Sequence, residues 1–484
     1  MKFFYRLCLA AAAVISAGSL QARPAGEKPN VIIILADDLG YAGLSCFGGE
    51  GISTPTLDRL AENGVKCENF YSNSTVCTPT RVALMTGRYQ QRVGVDHIYY
   101  YCLKENDGLD PNTSPLLAKQ FKAAGYVTGV FGKWHLGAGP AYRPDKLGFD
   151  WFTGFLDGNI DFISHHNTES KVDWWVKNEE RNQEGYAQDL LNEAVVDFID
   201  EHHEKPFFLY VPLAAVHVPM QGPKDEPLRT DSFYAYRVDH LFPRDEYMRR
   251  YSDMVTSIDR GVDMMMAALQ KYELEENTLV IFTSDNGGEA IGVGHAKVNG
   301  PFRGHKVNMY EGGLRVPGLM YWKGMLGGES ASQTSDEVML TMDLFPTVLE
   351  AAGIEYNDDY PLDGVSLWPA VSKQEPLAER DLFWMHTERL VMRRGDWKLI
   401  RQDGGEELYN LADDLAEAND LSASAEQQER VQQMLKDSDQ WRKETAIGVP
   451  AEREIGVWVK PVWPCSRDVK AFNEGREYSW PNNK

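Results

Sequence analysis

Four stretches of the chain, residues 31–35, 126–131, 207–211 and 279–282, are apolar without alternation and dense in Val, Ile, Leu and Phe. A strand with one solvated face alternates, so continuous short runs predict strands buried on both faces. Between them the period changes to that of a helix. Leu190, Leu191, Ala194, Val195, Phe198 and Ile199 recur at helical spacing and predict a helix over 186–202. A second helix is predicted with its cap at Ser114, Pro115 in its first turn and Gly125 past its end. Such alternation predicts an α/β fold, a large mostly parallel sheet sandwiched by helices. Each predicted strand then runs into polar residues: Asp37 and Asp38, Lys133 and His135, His217, and Asp285 and Asn286. Ligands of open α/β sheets bind outside the carboxyl ends of the strands, so the four segments should deliver these groups to one edge.

Beyond Ser372 the pattern shifts to the charged stretch KQEPLAERD. Strand-like runs at 390–392 and 397–400 flank Arg394-Gly395-Asp396 and predict a hairpin; an exposed helix is predicted over 425–442. The expected division is a body over 23–372 and a smaller C-terminal α+β domain over 373–484, containing an antiparallel sheet. Its Trp- and Pro-rich tail should pack back onto the body. The first 22 residues, with Lys2 and Arg6 before an apolar run from Leu7 to Ile15 and a small-residue exit near Ala22, read as a signal peptide. That run is shorter than the roughly 20 residues a bilayer span needs, which predicts an exported protein, periplasmic or secreted, with no membrane segment after cleavage.

Composition narrows the partners. The formal charge of −23 becomes −25 without Lys2 and Arg6, and no basic cluster interrupts it. Nucleic acid and anionic lipid are poor partners for such a surface; a local cationic pocket taking a single anionic group is compatible with it. Past the signal, Cys46, Cys67, Cys77, Cys102 and Cys465 remain, and an odd count in an exported chain sets one cysteine apart.

Cys77 stands in Cys77-Thr78-Pro79-Thr80-Arg81, followed by ALMTGRY, with Pro79 placed for the first turn of a helix. A helix N-terminus offers free N–H groups and a positive dipole end to an anion. Asp37, Asp38, Asp285 and Asn286 form an all-oxygen donor set suited to a hard cation, calcium before magnesium. Taken alone, the first pair also suits a helix N-cap and the second an Asx turn.

The Cys77 motif resembles the C-x-P-x-R maturation motif of the sulfatase family, whose cysteine is oxidised to formylglycine. The resemblance extends from about Asn30 to about Gly353, through ILADDLGY, GKWHLG, AAVHVP, FTSDNGG and GPFRGHKVNMYEGGLRVP, and is strongest toward the arylsulfatase A and N-acetylgalactosamine-6-sulfatase branch. It implies an alkaline phosphatase-like fold and a sulfuric ester hydrolase. The substrate implied is a sulfated saccharide, desulfated from its end, with galactose or N-acetylgalactosamine favoured. A formylglycine-generating or sulfatase-maturing enzyme is implied as a partner. One calcium ion is implied on Asp37, Asp38, Asp285, Asn286 and the matured Cys77. Arg81 would orient the formylglycine hydrate, Lys133 and Lys306 would bind sulfate oxygens, His217 would protonate the leaving oxygen and His135 would release sulfate. Asp285 could also accept the proton of the attacking hydroxyl. Thr80 departs from the serine many members carry, and His305 from the usual small residue.

For the sugar, the loop over 154–167 is expected to rim the pocket, with Asp157, His165 and His166, together with Arg303, as substrate-binding residues. Two other readings compete: a phosphodiesterase or phosphonate monoester hydrolase on the same fold, and a sulfated-glycan-binding protein without catalysis.

Overall fold

The computed structural model describes residues 28–99, 108–112, 115–229, 242–289, 297–327, 333–356 and 359–446. The predicted signal peptide, Ser114, Cys102, Cys465 and the C-terminal tail lie outside them. The predicted buried runs all form strands, each slightly longer than its apolar core: Asn30–Ala36, Val127–Lys133, Phe207–Pro212 and Thr278–Ser284. They are neighbours in a ten-stranded sheet. From one edge its order is Gln333–Ser335, Val65–Cys67, Gly318–Tyr321, Thr278–Ser284, Asn30–Ala36, Phe207–Pro212, Val127–Lys133, Trp151–Phe155, Trp175–Val176 and Glu179–Glu180. The central pairings are parallel; antiparallel pairing enters through Gly318–Tyr321 on one side and the short outer strands on the other.

The absence of alternation has a structural cause in the two apolar layers. Ile32, Ile34 and Ala36 face one layer with Leu191, Val195, Ile199, Met254, Ile258 and Val262. Val31, Ile33 and Leu35 face the other with Val82, Leu84, Leu117, Phe121, Phe345 and Val348. Helix Ala187–His202 lies where its period placed it, and helix Leu117–Ala123 begins two residues beyond Pro115.

At the C-terminal end, strands Asp381–His386, Arg389–Arg394, Trp397–Gln402 and Gly405–Asn410 pair in sequence as an antiparallel sheet, with Gly395 at φ 56° in the turn between the second and third. The helix expected to be exposed runs over Gln428–Thr445 and buries Val431, Met434 and Trp441. Its charged residues mask an apolar face one side chain wide per turn, which is why its sequence reads as exposed. This sheet shares its core with the body: Tyr71, Ala83, Tyr89, Met309 and Leu314 pack with Trp384, Val391, Leu399 and Trp441.

Candidate active site

The carboxyl ends of the four central strands carry the polar residues read from the sequence. Asp37 and Asp38 follow the first directly, Lys133 ends the second, and Asp285 and Asn286 follow Thr278–Ser284. Cys77 is the first residue of helix Cys77–Thr86, buried, with Sγ 3.5 Å from Asp37 Oδ1. Ligand atoms of Asp37, Asp38, Cys77 and His217 all lie within 4.8 Å of one another.

Cations interleave with these carboxylates. Lys133 Nζ donates to Asp37 Oδ2 at 2.7 Å and Lys306 Nζ to Asp38 Oδ2 at 2.7 Å. Arg81, completely buried, donates through Nε (3.0 Å) and Nη2 (2.6 Å) to Asp285 Oδ2, and through Nη1 to the Lys133 carbonyl at 3.0 Å. Its guanidinium, one helical turn on from Cys77, therefore clamps Asp285 and the end of the Lys133 strand. For Asp285, burial favours the neutral acid, but Arg81 and Lys133 outweigh it and hold the carboxyl below the usual range. A carboxylate so held is a weak base. Burial, with Asp285 beside it, pushes the Cys77 thiol well up. Lys306 is buried too, yet Asp38 and its other anionic neighbours hold its pKa well above the usual value.

Both histidines have one ring nitrogen committed to backbone. His217 Nδ1–H donates to the Val218 carbonyl at 2.7 Å, which turns Nε2 toward Asp38 Oδ2, 3.7 Å away. His135 Nε2–H donates to the Tyr99 carbonyl at 3.0 Å, and its buried Nδ1 has no partner among the described residues. Burial, then the nearby lysines, hold both imidazoles well below their usual pKa. Asn286 donates through Nδ2 to Asp38 Oδ1 at 2.7 Å, and its buried Oδ1 likewise has no partner among the described residues. Asp38 (φ 59°) and His135 (φ 54°) both hold left-handed backbone, a cost concentrated at this edge.

The expected sugar-reading residues behave differently. His165 is fully buried, stacked on Trp174 with ring centroids 4.3 Å apart, and bonded to the Gly185 carbonyl through Nε2 at 3.1 Å. Asp157 spends its carboxylate on the Gly158 N–H (2.6 Å) and on Thr168 Oγ1 (2.6 Å), and His166 Nδ1 donates to the Ser164 carbonyl at 3.0 Å. The loop over 154–167 is thus tied to itself and to the segment that follows it, and His165 presents no surface to a ligand. Arg303 stacks on Tyr310 and donates to Tyr409 Oη (3.0 Å) and the Glu417 carbonyl (2.8 Å), bonds that tie it to the C-terminal sheet. Composition suggested hydroxyl-binding groups here; only folding turned them inward.

Sequence reasoning missed two supports of His135. Tyr99 supplies the carbonyl that fixes its tautomer. Gly158 leaves room for the ring: a Cβ there would lie 2.8 Å from Nε2. Neither carries a sequence signal, because one acts through backbone and the other through the lack of a side chain.

This constellation accompanies a match of residues 29–354 to the sulfatase family model. The chain belongs to the sulfatase family. Residues 303–444 of this sulfatase also match the model described as N-sulphoglucosamine sulphohydrolase, C-terminal. It is 33% identical to N-acetylgalactosamine-6-sulfatase of Mus musculus over 78% of this chain and 72% of that one. To arylsulfatase A of Bos taurus it is 31% identical over 76% of this chain and 71% of that one. Among solved structures, Ps i-CgsB in complex with k-i-k-neocarrahexaose superposes with TM-score 0.76 at 29% identity, covering 87% of this chain and 94% of that one. The fold of this sulfatase is alkaline phosphatase-like, and its reaction is the hydrolysis of sulfuric esters.

Proposed function

We propose that this sulfatase removes O-sulfate from the end of a glycan, with Cys77 matured to formylglycine as nucleophile and one calcium ion on Asp37, Asp38, Asp285 and Asn286. The observation that carries this reading is Cys77 at a buried helix N-terminus, with Sγ 3.5 Å from Asp37 Oδ1. Sγ stands in for an oxygen of the hydrated aldehyde. The unpartnered Asn286 Oδ1, added to three carboxylates, gives the oxygen-only donor set a hard cation takes. Three carboxylates here oppose Arg81, Lys133 and Lys306, so a dication would leave a cationic pocket in a chain of net charge −23. Formylglycine supplies a hydroxyl nucleophile and calcium lowers that hydroxyl's pKa.

The chain's own groups supply the rest. Lys133 and Lys306 each hold two further N–H donors besides the one given to an aspartate, enough to grip sulfate oxygens. His217, tied down at Nδ1, gives a proton from Nε2 to the leaving oxygen; the anionic ester between the lysines offsets the cations that hold this imidazole neutral. His135 accepts at Nδ1 the proton whose loss expels sulfate, and Tyr99 keeps that nitrogen unprotonated until then. Arg81 fixes Asp285 and the Lys133 backbone. The similarity to N-acetylgalactosamine-6-sulfatase and to Ps i-CgsB, solved with k-i-k-neocarrahexaose, supports a sulfated saccharide, with galactose or N-acetylgalactosamine favoured. The leader-like first 22 residues support export, with maturation by a formylglycine-generating enzyme.

The test joins mass and rate. In protein from its native host, the peptide spanning residue 77 should weigh ~18 Da less than its unmodified form, since a thiol is replaced by an aldehyde. That preparation should turn over sulfated sugars and 4-nitrophenyl sulfate, and lose both activities with chelator. Unmodified Cys77 in a fully active preparation would refute the nucleophile; faster turnover of a phenyl phosphonate would refute the substrate class.

A further inference from the structure

Lys306 is followed by a residue whose conformation is unexpected for its type. Val307 has φ 75°, and a β-branched side chain is a poor occupant of left-handed backbone. The conformation is held from both sides. Lys306 N–H donates to the Gly288 carbonyl at 3.1 Å, Val307 N–H to the Thr75 carbonyl at 3.0 Å, and Asn308 N–H to the His305 carbonyl at 2.8 Å. These bonds join the segment to the chain entering Cys77 and bring Lys306 Nζ to Asp38. Backbone placement alone explains the torsion, but for that purpose glycine or asparagine would serve at lower cost. A valine stands there at a conformational penalty, and the residue is 40% exposed. Of the four large apolar side chains this exposed among the described residues, the others are Tyr360, Val365 and Leu415; Val307 is the one bonded into the catalytic edge.

We infer that Val307 is a specificity-determining residue, an apolar contact at the mouth of the site for the C–H face of the alcohol that carries the sulfate. The inference rests on the sulfatase reading of the same pocket. Val307 N–H is bonded to Thr75, two residues before Cys77, and its neighbour Lys306 reaches Asp38, so the exposed valine stands beside the groups proposed to hold the ester. A ring pressed against Val307 loses its water on one face, an interaction made equally before and during reaction, so it acts on binding more than on the chemical step.

The experiment compares wild type with Val307→Asn and Val307→Thr, all matured and checked by mass, on N-acetylgalactosamine 6-sulfate and 4-nitrophenyl sulfate. Asparagine tolerates left-handed backbone, so Val307→Asn should melt at or above the wild-type temperature. Threonine keeps the shape and puts a hydroxyl in place of one of the two methyl groups. Both variants should raise KM about threefold to tenfold on at least one ester, the range expected from losing part of one apolar side-chain contact, with kcat within twofold. Unchanged KM on both esters with an active wild type overturns the inference. So does a loss confined to kcat, which would assign the effect to Lys306. Wild-type protein inactive on every sulfate ester would instead overturn the reading of the site, and this inference with it.

Discussion

At the carboxyl ends of the central strands, Asp37, Asp38 and Asp285 are buried beside Arg81, Lys133 and Lys306; under the C-terminal sheet, Glu311 and Glu417 are buried beside Lys398, Arg393 and Arg315. In the second cluster Lys398 Nζ lies 2.8 Å from Glu311 Oε1 and 2.7 Å from Glu417 Oε1, and Glu417 Oε2 accepts the Glu311 N–H at 2.6 Å. Burial would neutralise Glu311, but Lys398 and the two arginines outweigh it and hold its pKa at about 2. Its role is architectural: it joins Lys398 of the C-terminal sheet to the segment just after Lys306. In the first cluster Asn286 Oδ1 and His135 Nδ1 are left open, and the lysines sit on carboxylates that the proposed calcium would share. Burying charge does not by itself mark a catalytic site. What sets the first cluster apart is that its unpartnered atoms lie among carboxylates, lysines and Cys77 at the ends of the central strands.

Mutation should separate the two clusters. The largest effect is expected in the first cluster: Cys77→Ala should remove turnover by ~10⁴-fold or more, with the melting temperature within a few degrees of wild type, because no nucleophile remains while a small buried side chain replaces another. A large fall in stability would make Cys77 part of the architecture instead.

Next comes His217→Ala. A sugar alkoxide needs a proton to leave and a nitrophenolate does not, so the loss should be roughly 10²–10⁴-fold on a sugar sulfate and far smaller on 4-nitrophenyl sulfate. Equal losses would take His217 out of the acid role.

In the second cluster, Lys398→Met leaves two buried carboxylates without their shared cation and should lower unfolding free energy by about 3–5 kcal/mol. Turnover per folded molecule should stay within a few-fold, and adding Glu311→Gln and Glu417→Gln should recover much of the stability. Denaturant titration alongside kinetics checks this. If turnover falls in step with stability, the two clusters act as one unit through the Lys306 segment.

The smallest effect concerns His165, which faces Asp161, His166, Asn182 and the Gly185 carbonyl; burial chiefly lowers its pKa to about 4. Its folded value lies below the unfolded one near 6.5, so the unfolded chain takes up a proton first as pH falls. This contribution is therefore present above pH 6.5 and is lost between about 6.5 and 4. His165→Phe should keep the stack on Trp174, lose about 1 kcal/mol with the bond to Gly185, and flatten the fall in melting temperature across that window. An unchanged slope would mean that His165 titrates normally.

Much of this was legible in the chain because it depends on local order. Buried strands announce themselves by runs such as 31–35 and 279–282, and a residue following a strand must emerge at its end, so Asp37, Asp38, Lys133, Asp285 and Asn286 could be placed on one edge before any coordinates. The Cys77 motif likewise lies within a single turn of helix. Tertiary structure decided what depends on distant partners. Arg81 chose Asp285 across 204 positions, Lys306 chose Asp38 across 268, and the imidazoles of the 154–167 loop turned inward onto Trp174 and backbone carbonyls. A side chain's type says which bonds it can make; which it does make is settled by the neighbours that packing supplies, and those neighbours are remote in sequence.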